Sequence, residues 1–242
     1  MAKNKNYKYN AFAEQEEAAK REAIKKRNKI ILVIAAALVA LGVVICIAVA
    51  IWFAIPRDYC FYYRDREVNE AKVTYVEMKV KGYDEPIVLL LDAKEAKVTV
   101  ENFVTHVREG FYDGLTLHRG IKGCMIQGGS APADLPEEEQ PETIIGEFSS
   151  NNITYNDLLH KRGVISMARA TGKDSASTGF FICDADVPDF DGNYAAFGYV
   201  ISGLFTVDAI ADYMVGKTDS DGNLLASYEQ PVIEYIKVID KK

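Results

Sequence analysis

Hydrophobic and polar positions divide the chain into two regimes. Residues 30–55 run for 26 positions without a charged side chain. A helix of that length, at about 1.5 Å per residue, crosses a hydrocarbon core of about 30 Å with room to tilt. Buried helices of soluble domains seldom exceed about 14 apolar residues without a polar face, so the pattern predicts a single transmembrane helix. A cleaved signal peptide fits less well, because 29 residues precede the apolar stretch and signal sequences carry only about 7–15 apolar residues. Val44 and Ile45 stand before Cys46 where lipid attachment would call for small residues. Lys20, Arg21, Lys25, Lys26, Arg27 and Lys29 crowd the N-terminal flank, while Arg57 is followed at once by Asp58. Positive charge stays in the cytoplasm, which predicts a single-pass cell-membrane protein with its N-terminus inside and its body outside. Trp52 and Phe53 suit an interfacial aromatic belt, and the Ala-, Glu- and Lys-rich residues 14–29 extend the helix into the cytoplasm.

The pattern then shortens. A polar linker is expected over 56–71, and a folded domain over 72–242. Residues 73–80 alternate, with Val76, Met78 and Val80 on one face and Glu77 and Lys79 on the other, as a strand wet on one side requires. After a turn at 82–86, the short apolar run 87–91 reads as a buried partner strand. Over 98–109 the period becomes helical, through Val100, Phe103, Val104 and Val107, and Gly110 stands where a helix stop belongs. Further strands are predicted at 115–119, 125–128, 163–168, 180–184, 196–201 and 232–239, with a second helix over 205–214. Many short strands with two helices predict a mostly β fold closed into an antiparallel barrel. Residues 131–143, with three prolines and five acidic residues, read as a solvated loop.

Charge sharpens this division. Residues 1–56 hold nine Lys/Arg against four Asp/Glu, and 57–242 hold nineteen against thirty-one. A basic head on an acidic body argues against nucleic acid as a partner, since phosphate binding needs a basic face on the folded part. Only Cys124 and Cys183 lie well inside the body, beside Cys46 in the apolar run and Cys60 just beyond it. That is too few for a disulfide framework, and no spacing resembles a metal site, so free thiols are expected.

Five segments, taken in order, carry a family resemblance: VENFVTHVREGFYDGLTLHRG (100–120), MIQGG (125–129), GVISMARA (163–170), FFIC (180–183) and DGNYAAFGYV (191–200). Each alone is weak. Together, over a hundred residues in register, they resemble the cyclophilins, with looser similarity over about 72–240 and forms such as SMARA typical of bacterial members. The resemblance implies an eight-stranded barrel capped by a helix at each end, a groove on its outer face, no cofactor, and catalysis of rotation about the bond preceding proline. That bond turns over a barrier near 20 kcal/mol, taking tens to hundreds of seconds unaided. A donor aimed at the prolyl nitrogen binds the twisted amide better than the planar one.

By its residue type alone, Arg119 is as readily a surface arginine on a strand. Within LHRG it matches the family's catalytic arginine, and a rigid fork of donors suits the task. Met125, Gln127, Ala168, Ala170 and Phe181 match positions that line the proline pocket or hold substrate backbone, although Met125 and Phe181 also suit simple core packing. Phe190 stands at a pocket leucine position, Tyr194 at a pocket histidine, and Arg169 where eukaryotic members usually have asparagine. Three departures matter. Cys124 replaces a pocket phenylalanine, Gly179 a groove glutamine, and Asp189 a tryptophan. Losing the aromatic would weaken proline binding by about 1 kcal/mol or more, and losing the glutamine by about 1 kcal/mol. Strand alternation points His118 away from the Arg119 face. His106 and His160 lie far off in sequence, and nothing pairs them with a nucleophile.

Three functions stay open at this level. The first is an isomerase acting on proline-containing segments of secreted proteins. The second is a non-catalytic proline-binding module, favoured by Cys124 and Gly179. The third is a thiol redox protein working through Cys124, which lacks an adjoining resolving cysteine.

Overall fold

The computed structural model describes residues 3–54 and 58–240. It divides into two compact units, 1–56 and 57–242. In the first, helix α1 (Lys3–Ala54) runs unbroken. Its stretch Lys20–Val49 is long and apolar enough to cross a membrane by length and composition. The helical backbone includes Trp52 and Phe53, whose side chains lie outside the described set, as does Ile55 at the end of the expected span.

The second unit carries strands β1 (Val73–Val80), β2 (Ile87–Asp92), β3 (Leu117–Ile121), β4 (Met125–Gly128), β5 (Val164–Met167), β6 (Phe180–Cys183), β7 (Ala196–Ser202) and β8 (Ile233–Ile239). Helices α2 (Lys97–Arg108) and α3 (Leu204–Met214) complete it. The eight strands form one antiparallel sheet in the order β3-β4-β6-β5-β7-β2-β1-β8. Alternation in β1 places Val76, Met78 and Val80 inside, and all six residues of β2 are buried. The main core fills the curl of the sheet, where Phe103 of α2 meets Tyr112, Phe180 and Phe197 at 5.0–5.6 Å between ring centres. A smaller apolar layer, including Met125, Phe181 and Cys183, coats the outer face.

One expectation is corrected. The barrel is not closed: the sheet is a curled half-barrel whose edge strands β3 and β8 share no ladder. They meet only at their ends, around the bridge between Thr116 and Val232, where the Leu117 N–H donates to the Pro231 carbonyl at 2.9 Å and the Ile233 N–H to the Leu115 carbonyl at 2.8 Å. The free edge of β3 is occupied instead by the turn at 222–224. There the Gly120 N–H donates to the Gly222 carbonyl at 2.9 Å, and the Leu224 N–H to the His118 carbonyl at 2.9 Å. Within the expected 56–71 linker, residues 58–70 make contacts with the body. The Cys60 N–H bonds the Val200 carbonyl at 2.9 Å, Tyr63 stacks on Tyr199 at 5.2 Å, and Arg66 pairs with the buried Glu95 at 2.6 Å. The segment folds back because Cys60 and Tyr63 complete the outer apolar layer.

Both body helices borrow their caps. Ala96 and Gly203 precede α2 and α3 and supply no capping side chain. The Glu147 carboxylate accepts from the N–H groups of Val98 and Thr99 at 3.1 and 2.7 Å, and Asp58 accepts from those of Gly203 and Phe205 at 2.7 Å each. These remote carboxylates satisfy donors that a helix start otherwise leaves orphaned.

Candidate active site

On the outer face, β3, β4, β5 and β6 and the turn after β6 surround a cavity of about 210 Å³. It is lined by Arg119, Met125, Gln127, Ala168, Arg169, Phe181, Phe190 and Tyr194. Register explains how the polar pair meets: Arg119 and Gln127 are partners across β3–β4. The MIQGG glycine at 128 lets the strands close, because a Cβ there would lie 2.4 Å from the Thr116 carbonyl oxygen. Arg119 Nη1 donates to Gln127 Oε1 at 2.9 Å, and its Nε donates to the Asp221 carbonyl at 2.7 Å. The turn that takes the β3 edge therefore also fixes the guanidinium.

The apolar side of the cavity is an aromatic set. Phe181 meets Phe190 and Tyr194 edge-on at 5.4 and 5.5 Å, and those two lie 5.0 Å apart. Arg169 stands over the Tyr194 ring at 4.8 Å and the Phe148 ring at 5.3 Å. Its Nε donates to the Asn193 carbonyl, and its Nη1 to those of Ala170 and Thr171, at 3.0–3.4 Å.

Cys124, Ala170 and Gly179 are not among the cavity-lining residues. Cys124 is half-buried against the outer layer, Ala170 is exposed, and Gly179 is buried beside Ala168, whose N–H bonds its carbonyl at 2.9 Å. A Cβ on Gly179 would meet Ser130 Oγ at 3.0 Å and the Ala168 Cβ at 3.5 Å, so the neighbours have closed over the position that the missing side chain would take. His118 stands outside the lining; burial lowers its pKa, with a smaller contribution from the Arg119 charge.

His160 is the residue that sequence spacing gave no means of finding. Its ring lies buried and stacked under Phe181 at 5.9 Å. Nδ1 contacts Asp191 Oδ1 and Nε2 contacts Ser166 Oγ, each at 2.9 Å. The order Ser–His–Asp resembles a nucleophile with its base, but Ser166 is 0 % exposed and Phe181 covers the imidazole. No substrate reaches the hydroxyl, and the group acts as a polar strut under the aromatic pocket. Burial lowers the His160 pKa against the pull of Asp191.

Burial disfavours the thiolate at the three cysteines of the body. Burial pushes Cys60 up to about 11, Cys183 well above its ordinary value, and Cys124 upward despite the nearby Arg119 charge. Thiolate is the reactive form, so this removes the support for a redox site at Cys124.

Comparison with known proteins agrees with this architecture. Residues 75–236 match the family model described as cyclophilin type peptidyl-prolyl cis-trans isomerase/CLD. The chain is 37% identical over 161 residues to peptidyl-prolyl cis-trans isomerase A of Dickeya dadantii, covering 64% of this chain and 80% of that protein. It is 39% identical over 150 residues to a peptidyl-prolyl cis-trans isomerase of Helicobacter pylori, covering 61% and 86%. In fold it is similar to a crystal structure of a Cryptosporidium parvum cyclophilin type peptidyl-prolyl cis-trans isomerase, with a TM-score of 0.57 at 22% identity, covering 70% of this chain and 99% of that one. A second structure of that protein was determined in the presence of the dipeptide Ala-Pro, with a TM-score of 0.56. The matched segment spans most of the folded body, and the chain belongs to the cyclophilin family of peptidyl-prolyl cis-trans isomerases.

Proposed function

We propose that this isomerase is held outside the cytoplasmic membrane by residues 30–55 and assists the folding of secreted or surface proteins, with Arg119 stabilising the twisted prolyl amide. The observation that carries the catalytic part is the two-point fixation of Arg119 at the mouth of an aromatic cavity. The Ala-Pro dipeptide used with the Cryptosporidium parvum relative supports proline as the occupant.

Met125, Phe181 and Phe190 receive the proline ring, and Ala168, Arg169, Ala170 and Tyr194 border the peptide on either side. Planarity of the amide comes from delocalisation of the nitrogen lone pair into the carbonyl. Rotation by a right angle frees that pair. A guanidinium N–H then has an acceptor at the prolyl nitrogen that is absent in both planar isomers, so the interaction lowers the barrier without deepening either ground state. Gln127 and the Asp221 carbonyl hold the fork before substrate arrives, so little reorganisation is needed in the transition state. No bond is made or broken, and the reaction calls on no nucleophile or redox group.

Membrane placement rests on the apolar helix and on the basic residues that precede it. A second reading, a proline-binding module without turnover, is favoured by the absence of a side chain at Gly179 and by the small side chain at Cys124. Full-length protein in detergent micelles, assayed on a proline-containing peptide beside Arg119→Ala, separates the two. Acceleration that falls about 100-fold or more in the variant is expected. A folded wild type that binds the peptide without accelerating its isomerisation would leave the module.

A further inference from the structure

The cavity holds two cations, and rotation of the prolyl bond uses one. Arg119 and Arg169 both line it, and among the described residues neither is paired with a carboxylate. Every acceptor of Arg119 is neutral, a carbonyl and an amide oxygen. Every acceptor of Arg169 is a backbone carbonyl. Several other basic residues of the body are neutralised: Arg66 by Glu95 at 2.6 Å, Arg162 by Asp208 at 2.5 Å, Lys161 by Asp186 at 2.8 Å and Lys122 by Asp212 at 3.1 Å. Acids outnumber bases thirty-one to nineteen in the body, yet neither cavity arginine takes one as a partner among the described residues.

The acids closest in sequence to the cavity do not cancel them. Asp191 is committed to the backbone and ring of His160 at 2.7 and 2.9 Å. Asp189 is exposed and forms no ion pair. Arg169 is also held in place, its guanidinium over the Tyr194 and Phe148 rings and its Nε and Nη1 anchored, so its charge has a defined position at the groove.

We infer that the groove selects proline segments with an acidic side chain one or two residues from the proline, and that Arg169 is the residue that reads this charge. The inference rests on the cavity being the proline site. An acidic side chain completes an ion pair that the protein leaves open, while a basic one meets two like charges. Arg119 serves the prolyl nitrogen, so Arg169 is the cation left to choose among flanking sequences. Because the groove is open to solvent, the preference is screened by salt.

The test uses full-length protein in detergent micelles and three fluorescent peptides alike except for Glu, Ala or Lys beside the proline, on either side. Binding is read by anisotropy and isomerisation is followed in parallel. The Glu peptide is expected to bind about threefold to tenfold more tightly than the Ala peptide and the Lys peptide correspondingly less tightly at low salt. The spread narrows at 0.5 M salt as the Debye length shrinks to roughly 4 Å. In Arg169→Gln the three peptides converge, in Arg169→Lys the order persists, and in Arg169→Glu it reverses. Equal binding of the three by wild type, or a Glu preference that survives in Arg169→Gln, overturns the inference. Turnover without charge preference leaves the isomerase reading intact and removes this one. Charge-dependent binding without turnover does the opposite.

Discussion

Arg119 and Gln127 face each other across the β3–β4 pair, joined by a 2.9 Å bond from guanidinium to amide oxygen. The bond selects one orientation of a long, flexible side chain. Removing the acceptor in Gln127→Ala leaves the charge in place and frees the fork to rotate about its remaining contact with the Asp221 carbonyl. A neutral-to-charged hydrogen bond contributes about 1.5–3 kcal/mol, so kcat/KM is expected to fall about 10- to 100-fold. Arg119→Lys should fall comparably, because a point charge cannot hold both acceptors and still reach the prolyl nitrogen. Protease-coupled isomerisation kinetics measure both. Unchanged kcat/KM in Gln127→Ala would show that Asp221 alone positions the arginine.

The strut beneath the pocket gives stability a pH dependence of definite sign. Burial lowers the pKa values of His160 and His118 in the folded state, so the unfolded chain takes up protons more readily from its ordinary value near 6.5 downward. Stability is therefore complete above that value and is lost as pH falls toward the depressed folded values. The carboxylates with lowered pKa, Asp157, Asp174, Asp186 and Asp219, act in the same direction but only below about 3.8. The melting temperature of the body should accordingly drop between pH 7 and pH 5.5. The drop should shrink in His118→Asn, whose side chain does not support the pocket. A flat profile across this range would show that neither imidazole is held neutral by the fold.

Much of this architecture is legible in the residue pattern because burial imposes it. Val76, Met78 and Val80 alternate into the core, and Val100, Phe103, Val104 and Val107 recur at helical spacing against the sheet. What escaped the pattern depends on backbone groups or distant partners. The Asp221 carbonyl reaches Arg119 from 102 residues away, and no side-chain identity records a carbonyl's direction. Tyr63 looks polar in a charged stretch, yet it stacks on Tyr199 and both donates to and accepts from the backbone of Leu159. His160 is adjacent to Phe181 only because β5 and β6 pair. An expectation of closure assumed that β8 runs along β3, whereas β8 meets only its start and the turn at 222–224 takes the edge over 118–120.

Asp58 shows how far the folded body reaches toward the apolar helix in sequence. Its carboxylate accepts two helix-start donors of α3, and its carbonyl accepts a third, from Leu204 at 3.2 Å. Asp58→Ala should cost about 1–2 kcal/mol, as loss of a helix cap does. At the midpoint of thermal unfolding this amounts to a fall of about 2–8 °C for a body of this size. Asp58→Asn should recover part of the loss, since the amide oxygen still accepts. Calorimetry or circular dichroism of full-length protein in detergent reads the difference. Identical melting of Asp58→Ala and wild type would mean that water caps the helix equally well.

Topology is tested in intact cells. With the basic flank 20–29 inside and the body outside, added protease should remove the body and spare an N-terminal fragment detectable by an epitope tag. Protection of the body until the membrane is permeabilised would reverse the orientation.

The two sites of reduced side-chain volume near the groove invite reconstruction. Gly179 has ordinary backbone geometry but is buried, and a Cβ there meets the Ser130 hydroxyl at 3.0 Å and the Ala168 Cβ at 3.5 Å, so Ser130 must give way. With Ser130 displaced, Gly179→Gln offers the peptide backbone a hydrogen bond of about 1 kcal/mol, and KM should fall several-fold in a variant whose melting shows it folded. Cys124→Phe adds apolar area beside a half-buried position already packed on the outer layer. If proline lies against that surface, KM falls again by a similar factor while kcat changes little, because the contact is present in the planar and twisted states alike. Steady-state kinetics on the single and double variants distinguish the cases. Near-additive gains in KM place both positions along the bound peptide, whereas no gain in either would show that the substrate passes on the Arg169 side alone.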